Sequence, residues 1–182
     1  MDKKSLRKEL AARREKAAAS VDQAVACAEL ADVLSETTGA VSFFWPIRSE
    51  IDARPVMTAL AARRIVCLPL TQGRAALTFR QWMPEAEMGT DGFGVPVPLD
   101  TQPVVPDTLV VPMLGVDRVG HRLGYGAGHY DRTLEALRAE RPVLAIGFAF
   151  EAQRLDMLLP IEPTDQPLNL LVTEAGRYSF EG

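Results

Sequence analysis

Residues 107–150 read DTLVVPMLGVDRVGHRLGYGAGHYDRTLEALRAERPVLAIGFAF, and their order decides the class of fold. The opening DTLVVPML is apolar without alternation, the pattern of a strand covered on both faces. A glycine-dense stretch follows. Tyr130, Leu134 and Leu137 then fall at i, i+4 and i+7, which predicts a helix from near His129 to about Glu140. PVLAIGFAF is a second continuous apolar run. Strands alternating with helices predict an α/β fold: three layers, a mainly parallel sheet flanked by helices.

The rest of the chain extends that pattern outward. Residues 2–36 are rich in Ala, Leu, Glu, Lys and Arg and reach Gly39 without a glycine or proline, predicting an N-terminal helical segment with a cap at Ser20 in SVDQ. Leu6, Leu10, Arg13 and Ala17 form its thin inner stripe. AVSFFWP reads as a buried strand stopped by Pro46, followed by a helix from about Asp52 to Arg64 with Pro55 in its first turn. RIVCLPL, ALTFRQW and the late LNLLVT are further strands. Residues 83–106, crowded with Pro and Gly, are expected to be mostly irregular and to carry a ligand-facing loop. No internal repeat or long linker divides the chain, so residues 1–182 are expected to form a single domain.

Charge and cysteine usage exclude several classes. The net charge of −4 offers no broad cationic face for nucleic acid, yet residues 1–16 carry seven Lys or Arg against three Asp or Glu. The N-terminal segment is therefore suited to an anion. Cys27 and Cys67 stand forty residues apart and the chain has only two histidines, which supports neither a zinc site nor a disulfide framework. No apolar run approaches the roughly 18 to 20 residues of a spanning helix, and MDKKSLRKEL lacks the apolar core of a signal peptide. A cytoplasmic protein without membrane or nucleic-acid partners is expected.

The stretch GHRLGYGAGHYDRTL, residues 120–134, holds the candidate site. Each glycine costs roughly 0.5 to 1 kcal/mol of ordering relative to alanine, which a ligand can offset. The stretch lies beyond the carboxyl end of a strand and opens a helix, whose first N–H groups favour a phosphate. It is not a Walker loop, because no Lys-Ser or Lys-Thr follows its last glycine. Nor is it a dinucleotide fingerprint, because the preceding strand ends ten residues too early. On spacing alone, a phosphate cradle and a plain tight connection both stand.

The run VPMLGVDRVGHRLGYGAGHYDRTL resembles the signature of the 5-formyltetrahydrofolate cyclo-ligase family. That signature is an apolar strand, a Gly-x-Arg-Leu-Gly core, and glycines leading to Tyr-Asp. Shorter matches follow in family order: KKSLRKEL, SEID, CLPL and LPIEPTDQPLNLLVTE. The resemblance implies an ATP- and magnesium-dependent ligase acting as a monomer on a small molecule. Such an enzyme phosphorylates the formyl oxygen of 5-formyltetrahydrofolate, lets the second folate nitrogen attack, and releases 5,10-methenyltetrahydrofolate, ADP and phosphate. By the same resemblance, Lys3 and Arg7 contact ATP. Arg122, Leu123, Gly124, Tyr125, Gly126, Ala127, Gly128, His129 and Tyr130 wrap its phosphates. Arg122 and Asp131 serve catalysis, Asp131 and Asp165 hold magnesium, and Glu50 with Tyr125 meets the folate.

Trp82, Phe93 and Tyr125 are candidate apolar walls for a flat ligand. Ala127, His129 and Asn169 depart from the family pattern, where a lysine, a tyrosine and a carboxylate are common. These departures keep open a second reading, a non-catalytic nucleotide- or anion-binding module on the same fold. A basic RNA-binding arm is a third, weakened by the lack of a second basic patch with stacking aromatics.

Overall fold

The computed structural model describes residues 2–180. Two helices, α1 (Lys3–Ser20) and α2 (Gln23–Ser35), precede β1 (Val41–Ser42), α3 (Arg54–Ala61) and β2 (Val66–Leu70). Next come β3 (Thr78–Trp82), β4 (Met88–Thr90), β5 (Pro96–Pro98), β6 (Thr108–Val111), β7 (Gly115–Val116) and β8 (Arg122–Leu123). The chain closes with α4 (His129–Glu140), β9 (Leu144–Phe148), β10 (Leu170–Thr173) and β11 (Gly176–Ser179). The main sheet has seven strands in the order β11-β10-β9-β6-β1-β2-β3. All its inner pairings are parallel. The edge strands β3 and β11 run antiparallel to their neighbours.

Apolar residues cover both faces because successive side chains point to opposite sides. Val110, Ile146 and Val172 join the core under α2 and α3, while Leu109, Val111, Ala145 and Leu171 join the core under α4. The helices therefore form two outer layers. From β1 the chain moves by way of α3 to β2 on one side, and from β6 by way of α4 to β9 on the other. The order thus reverses between β1 and β6, the place where a crevice opens beyond the carboxyl ends of the strands. No helix among the described residues is long and apolar enough to cross a membrane.

Several local expectations are corrected. Asp22, not Ser20, caps α2: its carboxylate accepts from Ala24 N–H, while the Ser20 hydroxyl bonds back to the Lys16 carbonyl. Arg14, not Arg13, lies on the buried face of α1 with Leu6, Leu10 and Ala17. The helix after β1 is shorter than expected, Arg54–Ala61, with Pro55 in its first turn. Residues 83–106 contain the β4–β5 hairpin. Arg122–Leu123 pairs with Gly115–Val116, and Gly120 is buried, so the exposed part of the glycine stretch begins only after β8.

Candidate active site

A cavity of about 620 Å³ lies at the switch point. Residues following β1 (Phe44, Trp45, Ile47, Glu50), β2 (Pro69, Thr71) and β6 (Pro112, Met113) form its floor and one wall. The glycine stretch and the start of α4 form the opposite wall. The amino end of α1 closes one side, because Leu6 and Leu10 pack with Leu114, Leu123, Leu155 and Leu159 in a small cluster beyond the sheet. That anchor brings Lys3 and Arg7 to the rim.

Gly126 and Gly128 have φ of +101° and +69°, a region costly for other residues. A Cβ on Gly126 would also stand 3.1 Å from an Arg7 guanidinium nitrogen. Arg7 Nε donates to the Gly124 carbonyl at 2.9 Å, fixing the loop to α1. Gly128 precedes α4 with no side-chain cap. Among the described residues, the backbone N–H groups from Gly124 to Asp131 donate to no protein carbonyl. A row of unpaired donors at a helix start suits an anion.

Arg122 lies behind this row. Its Nη2 donates to Asp131 Oδ1 at 2.8 Å, with side-chain exposures of 6% and 19%, and its guanidinium lies over the Tyr130 ring. Its Nε is buried with no partner among the described residues. Burial pulls the Arg122 guanidinium below its ordinary range, and the Asp131 carboxylate opposes that pull. Asp131 Oδ1 also accepts from Gln166 N–H at 3.0 Å, tying α4 to the Pro-rich segment after β9. Asp165, on the same segment, accepts from Glu162 N–H at 2.8 Å and lines the cavity. Lys3 Nζ meets Glu162 Oε1 at 2.6 Å across the rim.

The wall that follows β1 is largely apolar, with one buried carboxylate. Glu50 Oε2 accepts from Ile47 N–H at 3.0 Å. Burial pushes the Glu50 carboxyl above the usual range, opposed by that hydrogen bond and then by Arg14 and Arg48. Tyr125 accepts from Arg14 Nη2 at 2.6 Å, and Arg14 and Arg48 each lie over its ring, 5.6 and 5.2 Å from the centroid.

Every residue singled out for the site lines this one cavity: Lys3, Arg7, Glu50, residues 122–131 and Asp165. Phe93 and Tyr125 also face it, whereas Trp82 is buried in the core beneath α2 and α3. His129 Nε2 lies 2.8 Å from the Gly73 carbonyl and its ring meets Phe93 edge-on, so it links the glycine stretch to the loops after β2 and β4. Reading the sequence missed Arg14, whose i+4 spacing from Leu10 was the available signal. It also missed Asp117, whose fully buried carboxylate accepts from Val119, His121 and Leu159 N–H and pins both cavity-lining turns.

A model of the 5-formyltetrahydrofolate cyclo-ligase family matches residues 1–174. The chain belongs to that family. It is 33% identical over 141 residues to the 5-formyltetrahydrofolate cyclo-ligase of Escherichia coli K12, covering 73% of this chain and 76% of the relative. The Haemophilus influenzae enzyme of the same name is 30% identical over 136 residues, 70% of this chain and 72% of that one. Among solved structures, the NMR structure of Aquifex aeolicus 5,10-methenyltetrahydrofolate synthetase superposes with a TM-score of 0.78 at 24% identity, over 100% of this chain and 94% of that one. The Mycoplasma pneumoniae synthetase gives 0.72 at 20% identity, over 96% and 99%. These likenesses carry the fold. Asn169, one departure from the family pattern, does not line the cavity: its side-chain oxygen accepts from Ala145 N–H at 2.8 Å and Arg138 Nη2 at 3.0 Å, which is support for β9.

Proposed function

We propose that this protein converts 5-formyltetrahydrofolate to 5,10-methenyltetrahydrofolate, using magnesium and ATP and releasing ADP and phosphate. The supporting observation is that one cavity has an anion-receptive wall, built from unpaired N–H groups and Arg122, and a largely apolar wall holding the Glu50 carboxylate. The first suits a triphosphate and the second a flat heterocycle with N–H donors.

The residues present fit both groups. Among the described residues no three His, Cys, Asp or Glu side chains cluster as a metal site. Magnesium needs no such cluster, since it commonly takes one or two carboxylates with phosphates and water completing the octahedron. Asp131 and Asp165 supply two hard oxygen donors beside the loop, and Asp131 keeps one carboxylate oxygen clear of Arg122 and Gln166. When bound, magnesium ATP supplies the phosphoryl group that turns the formyl oxygen into a leaving group.

This chain's part in the reaction is positioning and charge neutralisation. Gly124 to Gly128 lets phosphate oxygens approach the backbone, and Arg7 holds the loop from outside while presenting its guanidinium nitrogens to the rim. Arg122, kept in place by Asp131, sets its guanidinium charge in the cavity wall against developing negative charge. Glu50 accepts from the N–H groups of the heterocycle and orients its reacting nitrogens, and Tyr125 and Phe93 form its walls.

The experiment combines purified protein, 5-formyltetrahydrofolate, ATP and magnesium. It follows the methenyl chromophore in the near ultraviolet together with phosphate. Equimolar methenyl product and phosphate, each dependent on the other substrate, is the expected result. Nucleotide binding without substrate-dependent phosphate release would instead favour a non-catalytic binding module.

A further inference from the structure

Arg14 is the one charged residue on the buried face of α1, at a position where leucine would continue the stripe of Leu6 and Leu10. It is 2% exposed and lies behind the cavity wall, not in it. Its guanidinium reaches two separate parts of that wall. Nη2 donates to the Tyr125 hydroxyl at 2.6 Å, and Nε donates to Ser49 Oγ at 3.1 Å. Nη1 is 3.7 Å from Glu50 Oε1 and has no hydrogen bond among the described residues. A buried guanidinium with an unpaired nitrogen is costly, and a hydrophobic residue would serve packing better. Of its three neighbours, Glu50 and Tyr125 line opposite walls of the cavity, and Ser49 adjoins Glu50 in the chain.

We propose that Arg14 is a positioning residue, which holds Glu50 as an ionised acceptor toward the folate and ties that wall of the cavity to Tyr125 of the glycine stretch. The inference rests on the reading that Glu50 meets the folate. The groups facing Glu50 come from every side. Arg14 reaches it from α1, Arg48 from its own loop, Tyr125 from the glycine stretch, Tyr130 from α4 and Ile47 N–H from the turn before it. Gln153, beside the same small void, donates instead to the Met113 and Leu114 carbonyls. Arg14 and Arg48 are thus the two cations that oppose the burial of Glu50. Arg48 is exposed, whereas Arg14 is sealed from solvent and its charge is little screened.

The test measures binding of 5-formyltetrahydrofolate and, separately, of ATP across a pH series, with folding checked by circular dichroism. For the parent, folate affinity falls about tenfold per pH unit once Glu50 protonates. Arg14→Met moves that break to higher pH and weakens folate binding about tenfold at neutral pH, with a smaller effect on ATP. Arg14→Lys keeps the charge and loses the fork, so the break stays near the parent's while affinity falls. If Arg14→Met does not fold, Ser49→Ala combined with Tyr125→Phe removes both hydrogen-bond partners without touching the cation, and folate affinity is expected to fall. An Arg14→Met protein with parental break and affinity, or an unchanged double variant, overturns the proposal. Glu50→Gln binding the folate like the parent refutes the Glu50 reading itself, while a Glu50 effect without an Arg14 effect refutes only the positioning role.

Discussion

Asp131→Asn separates the ion pair that the structure shows for this carboxylate from the magnesium-holding role proposed for it. The side chain pairs with buried Arg122 at 2.8 Å and accepts from Gln166 N–H at 3.0 Å, both through Oδ1. Deleting one member of a buried ion pair costs about 3 to 5 kcal/mol, but an amide oxygen still accepts both bonds, and Asp131 keeps some contact with solvent. About 2 kcal/mol is therefore expected. For a chain of this size that lowers Tm by about 4 to 8 °C, read by calorimetry. The fold survives, so activity is measured well below the new Tm. With the charge proposed to hold magnesium gone and Arg122 left without its counterion, methenyl formation is expected to fall by about 100-fold or more, and extra magnesium to restore only part. Turnover within about twofold of the parent across a magnesium titration would refute the metal assignment. The predicted Tm shift would still stand, since it comes from the Arg122 pair alone. Asp165 would then be the next carboxylate to replace, at little cost in stability because its contact is a turn hydrogen bond.

Arg7→Ala is expected to weaken ATP binding by roughly 10- to 150-fold, the range of a charge-assisted contact, while moving Tm little; titration calorimetry with an ATP analogue reads the first and a thermal melt the second. Gly126→Ala forces a side chain into φ +101° and against Arg7, so a loss of about 1 kcal/mol or more and weaker nucleotide binding are expected, checked by thermal melts and the same titration. Cys67 is fully buried beside Val41 and its thiol is pushed up to about 12, chiefly by burial. Because a raised thiol pKa leaves the thiolate scarce at every pH below it, native protein should resist alkylation at Cys67 up to strongly alkaline pH; ready labelling of the folded protein near neutrality would contradict the burial.

The parallel core was legible because its strands are buried on both faces and so read as continuous apolar runs. TLVV, LAIG and LLVT stand out whatever surrounds them. The edges were less legible. β11 is Gly-Arg-Tyr-Ser and β8 is Arg-Leu, short polar segments whose strand character comes from the neighbour each one pairs with. Nothing within either segment distinguishes it from a turn. The β4–β5 hairpin is similar: its prolines and glycines signal loop, and the pairing of Met88–Thr90 with Pro96–Pro98 arises from the tight Asp91–Gly94 turn, in which the Asp91 carboxylate accepts from Phe93 and Val95 N–H.

The site divides along the same line. Its glycine stretch is contiguous, so the loop, the helix start at His129 and the carboxylate at Asp131 could be read as one unit. Its far wall is assembled from the segments after β1, β2 and β6, and α1 closes one side because Leu6 and Leu10 dock it beyond the sheet; these pieces lie far apart in sequence. Arg14 illustrates the consequence. In a helix carrying seven Lys or Arg within sixteen residues, one more arginine looks like solvated surface, and the choice between Arg13 and Arg14 turns on a helical phase difference of a single residue. The fold sends one to solvent in an i, i+4 pair with Glu9 and the other beneath the cavity, against Tyr125 and Glu50. A charge is identified as part of a site by what it is buried against, and that partner lies about 110 residues further along the chain.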